Sequence, residues 1–185
     1  PFSLIEKYGS THSIPSGSPR GTRGATGSPQ AGTDAVRYYL LREIPSTRDG
    51  DFTYEKFEER YRADLAKGLG NFTARVVNLG ERHIKDSFDS YESENTKKII
   101  KKVTSNYKKS LDNFRFDEAL QSIWELISYG DKFVDKSKLW ELPEKDFKKF
   151  FLRISELCGL LANIASLLGP FLPETSQAIA SQIGI

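Results

Sequence analysis

The sequence predicts an all-α protein, a helical bundle built around one hydrophobic core. Along most of the chain, apolar residues recur at steps of three and four, as they do on one face of an amphipathic helix. Short turns join these segments, and none of the segments has the alternating pattern of a β-strand. Helices that each carry one apolar face bury it by packing against one another, so a bundle is expected.

Composition sets broad limits on the class of protein. The chain has 185 residues, of which 38% are hydrophobic and 28% charged, enough for one ordinary domain with additional segments. A net charge of +2 is too small to indicate a nucleic-acid partner, which would need a local patch. The single cysteine, Cys158, excludes a disulfide framework and favours a reducing compartment. We find no apolar run expected to span a membrane and no signal peptide, and we expect a cytoplasmic protein without a membrane partner.

The N-terminal region divides into two segments of different character. Residues 1–9 predict a short helix ended by a glycine. They begin with Pro1 in a chain without methionine, so we expect a piece of a longer protein. Residues 10–32 are mostly Gly, Ser, Pro and Thr, and they cannot bury enough surface to offset the entropy of ordering. We predict a disordered insertion or linker there, in preference to a nucleic-acid-binding arm carrying Arg20 and Arg23.

The next segments predict the start of the bundle. A connector helix and loop are expected over residues 33–52, and an α-helical domain over residues 53–185. Thr53 is a typical N-cap for the helix that follows it. Two glycines, Gly68 and Gly70, predict a kink or a tight junction before the next helix.

The segment GNFTARVVNLGERHIK, residues 70–85, predicts a helix with two distinct faces. Its apolar stripe consists of Leu69, Phe72, Val76 and Leu79. A row of polar side chains recurs with similar spacing on another face and consists of Arg75, Asn78, Arg82 and Lys85. Such a helix can pack on a core with one side and present hydrogen-bond donors on the other.

Four further helices complete the predicted bundle. A helix after Asn95 carries many lysines, which are more typical of a solvated face than of a phosphate track. A strongly amphipathic helix covers residues 115–135, with Trp140 just beyond its end. A long apolar helix covers residues 144–168, and a short final helix follows the Gly-Pro break at residues 169–170.

The sequence carries no signature of catalysis or metal binding. Its two histidines, His12 and His83, are far apart, and no cysteine–histidine cluster has metal-ligand spacing. No Gly-rich loop follows a strand and opens a helix, so a P-loop and a dinucleotide fingerprint are both missing. The pair Asp49 and Asp51 is typical of a turn. We therefore expect no catalytic residue, metal or cofactor in this chain.

The polar row indicates nucleic-acid recognition when it is combined with Trp140. Asn78 and Arg82 are four residues apart, so their side chains point the same way and can together satisfy the hydrogen bonds of a base edge. Trp140 can stack on a base, a contact that contributes roughly 1–3 kcal/mol. Arg75 and Lys85 are candidates for phosphate contacts. A surface ion pair and a core tryptophan are the alternative, and periodicity alone favours that alternative.

Several stretches, taken in order, resemble the methionyl-tRNA synthetase family of class I aminoacyl-tRNA synthetases. They are PFSLIEKYG, TDAVRYYLLREIP, DGDF, DLAKGLGNFTARVVNLGER, FVDKSKLW and LGPFLPETS. Their order makes the resemblance specific, and it covers the chain apart from residues 10–32 and an acidic connector at residues 86–94. The resemblance implies a helical bundle of the class I synthetase anticodon-binding type, preceded by a short helical remnant of the catalytic-domain junction.

The same resemblance implies roles for individual residues. Asn78 and Arg82 match the family's Asn-x-x-x-Arg on the anticodon-reading helix, and Trp140 matches the tryptophan of its Tyr/Phe-Val/Ile-Asp…Trp motif. In the family these residues read the CAU anticodon of tRNA(Met). The chain departs from the family pattern where residues 10–32 interrupt a continuous motif, and at Arg62, Lys67, Asp131 and Leu139. Leu139 stands where a proline usually precedes the tryptophan.

The catalytic signatures His-x-Gly-His and Lys-Met-Ser-Lys-Ser do not occur in the sequence. The resemblance therefore implies a C-terminal fragment that recognises tRNA and is inactive alone. Its parent enzyme, with an N-terminal catalytic domain, would ligate methionine to tRNA with ATP. Two other functions stay open, namely a stand-alone RNA-binding or regulatory module without catalysis and a structural bundle that mediates protein contacts.

Overall fold

The computed structural model describes residues 29–47, 49–84 and 91–184, and every regular element in these ranges is a helix. In chain order they are α1 (Pro29–Glu43), α2 (Tyr54–Arg60), a π-helix (Tyr61–Gly70), α3 (Asn71–His83), α4 (Glu94–Asp112), α5 (Phe116–Ser137), a 3-10 turn (Leu139–Glu141), α6 (Leu142–Lys145), α7 (Phe147–Leu168) and α8 (Pro173–Gln182). The predicted all-α bundle is confirmed. The predicted helix over residues 1–9 and most of the predicted insertion lie outside the described residues.

Helix α1 begins at Pro29, four residues before the predicted connector helix. The last residues of the predicted disordered insertion are therefore helical, and that boundary was wrong. Proline is accepted in a first helical turn because its missing N–H would have no partner there. Helix α1 is tied to the other end of the chain, since Asp34 accepts the Thr175 N–H at 2.8 Å and Arg37 Nε donates to the Phe171 carbonyl at 2.8 Å.

Helix α2, the π-helix and α3 follow one another without a break. Thr53 caps α2 as predicted, because its side chain accepts the Lys56 N–H at 3.3 Å. The predicted kink or junction at Gly68 and Gly70 coincides with the boundary where the π-helix ends at Gly70 and α3 begins at Asn71, and Gly70 itself has helical dihedrals, φ −65° and ψ −45°. Gly68 lies beside Trp124, since a Cβ at that position would be 3.5 Å from Trp124 Nε1, an ordinary contact distance.

The hydrophobic core is centred on α5 and α7. Both helices bury a continuous apolar face, which includes Leu120, Ile123, Leu126, Val134, Ile154, Leu157, Leu161 and Ile164. By length and composition α7 could cross a membrane, contrary to our expectation that no apolar run is long enough. More than half of its most apolar stretch is buried inside the bundle, so its composition is that of a core helix.

The start of α7 also differs from the prediction, which placed it at Glu144. A separate short helix, α6, ends at Lys145, and Asp146 then leaves the helical conformation with φ −157° and ψ 83°. The Asp146 side chain accepts the Lys149 N–H at 3.0 Å and so caps α7. The apolar periodicity continues through this break, which explains why the two helices were predicted as one.

Candidate nucleic-acid interface

Helix α3 is held in the bundle by the apolar stripe that its sequence predicts. Phe72 and Val76 are fully buried, and Leu79 is half-buried against the core. On its other face Arg75 and Asn78 are half-buried and Arg82 is exposed. The structure therefore contains the helix with one apolar face and one polar face that the residue spacing predicts.

The side chains of Asn78 and Arg82 make no polar contact with the described residues of the bundle. Within residues 29–47, 49–84 and 91–184, no hydrogen bond or ion pair engages either side chain. The alternative interpretation of this pair, a partner for nearby acidic residues, is not realised in that part of the chain. Lys85, the last member of the predicted row, lies outside the described residues.

Arg75 has a different environment from the rest of the row. Its guanidinium donates to Asp131 at 3.0 Å and to Asp135 at 2.5 Å, so it ties α3 to α5. Burial raises the pKa of the Asp131 carboxyl above its usual value, while the Arg75 charge opposes that rise. The phosphate contact predicted for Arg75 stays a prediction, and it would compete with these two carboxylates for the same donors.

Trp140 is held outside the core by the residue before it. Helix α5 ends at Ser137, and Lys138 then adopts a left-handed conformation, with φ 46° and ψ 51°, that turns the chain sharply. Leu139 is 0% exposed and packs in the core, whereas Trp140 is 52% exposed on the 3-10 turn. Leu139 thus anchors the turn and leaves the indole accessible.

The C-terminal ends of α3 and α5 point to the same end of the bundle. Phe72 on α3 lies against Gly130 on α5, and Arg75 further along α3 pairs with Asp135 further along α5. The two helices therefore advance in the same direction. Asn78 and Arg82 lie toward the end of α3, and Trp140 follows the end of α5, so the structure places all three at one end.

Contacts around His83 support the same placement. The His83 ring packs edge-on against Phe150, with 5.4 Å between ring centroids. Phe150 belongs to the first turn of α7, which begins seven residues after Trp140. No hydrogen bond within the described ranges joins Trp140 to Asn78 or Arg82, so a ligand at this end would meet separate contacts from two elements.

Sequence reasoning overlooked Asn71, the first residue of α3. Asn71 is exposed and stands four residues before Arg75, which repeats the Asn-x-x-x-Arg spacing of Asn78 and Arg82 seven residues earlier. Seven residues are close to two helical turns, so both pairs lie on one face. Arg75 also contacts the helix that leads to Trp140. The repeated spacing in the sequence was the signal that could have identified Asn71.

Other candidate residues have structural explanations. Trp124 packs on the core, with its ring 4.8 Å from that of Tyr38. Burial raises the pKa of the Cys158 thiol to about 11, so the reactive thiolate is disfavoured at neutral pH. In the ranges that the structure describes, no group of three His, Cys, Asp or Glu side chains is placed to hold a metal ion.

Comparison with known proteins identifies the class. The family described as "tRNA synthetases class I (M)" matches residues 24–77. This match to part of the chain indicates the class I aminoacyl-tRNA synthetases. Methionine–tRNA ligases of Bacillus subtilis and Fusobacterium nucleatum are 36% and 34% identical to the chain, each alignment covering 83% of it. The chain belongs to the methionyl-tRNA synthetase family.

Solved structures agree with this fold. A Mycobacterium tuberculosis methionyl-tRNA synthetase in complex with methionyl-adenylate superposes with a TM-score of 0.71 at 24% identity and covers 80% of this chain. The apo form of the enzyme from that organism superposes with a TM-score of 0.72 at 22% identity and covers 84% of this chain. The chain spans about a quarter of the length of the curated relatives, 24% for Bacillus subtilis and 25% for Fusobacterium nucleatum.

Proposed function

We propose that this chain binds the anticodon loop of tRNA(Met) and reads its CAU sequence. A base stacks on Trp140, while Asn78 and Arg82 satisfy the polar edge of a base. The observation that carries the proposal is the 52% exposure of Trp140 beside a fully buried Leu139, at the end of the bundle where Asn78 and Arg82 lie. An aromatic platform beside unpaired donors is a common way to recognise unstacked bases.

Discrimination between bases follows from the cost of unpaired polar groups. When a base of the wrong pattern occupies the site, the Asn78 amide or the Arg82 guanidinium loses water without gaining a partner. A polar group left unpaired in this way costs about 1–3 kcal/mol. The stacking contact with Trp140 does not distinguish bases in this manner, so it supplies affinity more than specificity.

The activity of a longer synthetase is part of this proposal. The relatives are methionine–tRNA ligases, and we propose that this chain acts within such an enzyme in the cytoplasm. ATP and methionine would be substrates of its catalytic domain, and we assign no binding residue for them here. The chain would supply the recognition of tRNA. A separate regulatory RNA-binding role and a protein-binding role are the outcomes that the following experiment distinguishes.

Binding of a fluorescent tRNA(Met) anticodon stem–loop to the 185-residue chain tests the proposal. Trp140→Ala should weaken binding by about 5- to 150-fold, the equivalent of roughly 1–3 kcal/mol of stacking. Lys101→Ala, at an exposed position on α4, is the matched control and should have only a small effect. Equal small effects from both variants would contradict anticodon binding, and no RNA binding by the wild type would favour a protein-contact role.

Base reading is tested by changing the first anticodon base. This change should weaken binding to the wild type far more than binding to Asn78→Ala or Arg82→Ala, because those variants have already lost the discriminating contact. Asn71→Ala, measured in parallel, decides which of the two Asn-x-x-x-Arg pairs reads the base. Retained discrimination in both Asn78→Ala and Arg82→Ala, together with its loss in Asn71→Ala, would move the reading pair to the start of α3.

A further inference from the structure

A basic groove between α5 and α7 is not used by the anticodon contacts described above. Its volume is about 410 Å³. Its lining combines four cations with two aromatic rings, contributed by Lys132, Lys136, Lys149, Arg153, Tyr129 and Phe133. The groove adjoins the turn that carries Trp140, because Lys136 precedes that turn and Lys149 follows it.

Most cations of the groove have no carboxylate partner in the part of the chain that the structure describes. No carboxylate is among its lining residues, and the two acidic side chains nearest to it on α5, Asp131 and Asp135, pair instead with Arg75. The three lysines are exposed, and within the described ranges they form no ion pair. Arg153 alone has a carboxylate partner, Glu156, at 3.2 Å. The C-terminal part of α5, residues 129–137, therefore separates its charges, with Asp131 and Asp135 toward α3 and Lys132 and Lys136 toward α7.

Like charges at this spacing repel one another. Lys132 and Lys136 are four residues apart on α5, and Lys149 and Arg153 are four residues apart on α7. Such pairs of like charge destabilise a helix slightly. An anion bound between the two helices would offset the repulsion on both.

The floor of the groove is held in place by contacts with its neighbours. The rings of Tyr129 and Phe133 lie 6.2 Å apart, and the Arg153 guanidinium sits 5.0 Å above the Phe133 ring. The Tyr129 hydroxyl hydrogen-bonds to Thr96 at 2.8 Å, which fixes the phenol on the α4 side. Cationic side chains beside half-buried aromatic rings are typical of surfaces that bind a nucleic-acid strand.

We propose that this groove binds the phosphates of the RNA strand that leads away from the base stacked on Trp140. The proposal rests on the proposed function for the identity of the RNA. Arg153 has its orientation set by Phe133 and Glu156, and the exposed Lys132, Lys136 and Lys149 supply further charges around it. Contacts with phosphates position the strand and do not depend on the base sequence.

The salt dependence of RNA binding tests the groove separately from the base contacts. The probe is the tRNA(Met) anticodon stem–loop, bound to the chain carrying Lys132→Ala and Lys149→Ala together. Losing two phosphate contacts to a single strand should make the negative slope of log K against log salt shallower by about 1.4, since each contact contributes about −0.7. Binding should then be about 25-fold weaker at 0.1 M salt and nearly unchanged at about 1 M.

Two controls separate the groove from other causes. Lys101→Ala with Lys108→Ala removes the same charge from exposed positions of α4 and should leave the slope unchanged. Circular dichroism of both double variants verifies folding. Inorganic tripolyphosphate serves as a competitor, and it should bind more weakly than the RNA, because it engages the groove without Trp140.

Each outcome supports or overturns a defined part of the proposal. Equal slopes for the two double variants would contradict phosphate binding in the groove. A large effect of Trp140→Ala in the same assay would still support the anticodon site. A shallower slope in the groove variant, without any anticodon preference in the wild type, would support phosphate binding in the groove and contradict the proposed function. Tripolyphosphate binding as tight as that of the RNA would overturn RNA as the ligand.

Discussion

Substituting Gly130 by alanine should destabilise the bundle, although alanine is the better helix former. Gly130 lies within α5 opposite α3, where the fully buried Phe72 ring approaches the backbone. A Cβ at this position would overlap that ring, with Phe72 Cε2 at 2.6 Å and Leu160 Cδ2 at 3.0 Å. Because Phe72 is enclosed by the core, the ring cannot move away without disturbing α3.

The magnitude follows from two opposing contributions. Replacing glycine by alanine inside a helix contributes about 0.8–1.0 kcal/mol of stability. Overpacking of a filled core costs about 1–3 kcal/mol. The net change for Gly130→Ala should therefore be a loss of roughly 0–2 kcal/mol in the free energy of unfolding.

Gly80→Ala provides the matched control for this prediction. A Cβ on Gly80 would meet only Ile154 Cγ1, at an ordinary distance of 3.9 Å, so the propensity gain should appear as a stabilisation of up to about 1 kcal/mol. Urea unfolding followed by circular dichroism measures both variants, with the slope m expected to stay unchanged. Equal stability of the two variants would show that the Phe72 contact with Gly130 is not tight, and would refute the reasoning.

Two further predictions concern the turn and the acidic pair. Leu139→Ala should lower the free energy of unfolding by about 2–5 kcal/mol because Leu139 is fully buried, whereas Trp140→Ala should change it by less than about 1 kcal/mol. Chemical denaturation of both variants measures these changes. A larger loss for Trp140→Ala than for Leu139→Ala would place the indole in the core. The raised pKa of Asp131 means that the folded state holds this proton more tightly than the unfolded chain does. Its contribution to stability is therefore present at low pH and lost as pH rises through the raised pKa, so wild type should lose stability relative to Asp131→Asn as pH rises from below the usual pKa of 3.8 to above the raised one. Urea titrations across that range measure the difference, and a trend of opposite sign would contradict the burial of Asp131.

Local chemistry predicted those parts of the fold that depend on neighbouring residues in the chain. The spacing of Phe72 and Val76 identified the buried face of α3, and the Thr53 hydroxyl identified the start of α2. The π-helix could not be predicted in this way, because the apolar spacing of Leu65 and Leu69 also fits an ordinary α-helix. Its wider turns accompany contacts with distant residues, such as the approach of Trp124 to Gly68.

The sequence also predicted where some residues of the candidate site lie. Spacing placed Asn78 and Arg82 on one face and Trp140 beyond a helix, and the structure agrees with both placements. Spacing could not show that Arg75 is already paired, because Asp131 and Asp135 lie far along the chain. It also could not show that Leu139 is the buried anchor of the turn, since that depends on the left-handed backbone before it.

The π-helix sets the rotational phase between α2 and α3. A π-helix bonds each residue to the fifth one along and therefore turns less per residue than an α-helix does. The number of residues within Tyr61–Gly70 sets the angle, around the axis of the continuous helix, between the Arg75 side chain of α3 and the buried Phe57 side chain of α2. Each α-helical residue adds about 100° of rotation. Adding or removing one residue there would turn the whole polar row away from Asp131 while leaving α2 in place. The length of this segment thus determines where the polar row of α3 lies on the bundle.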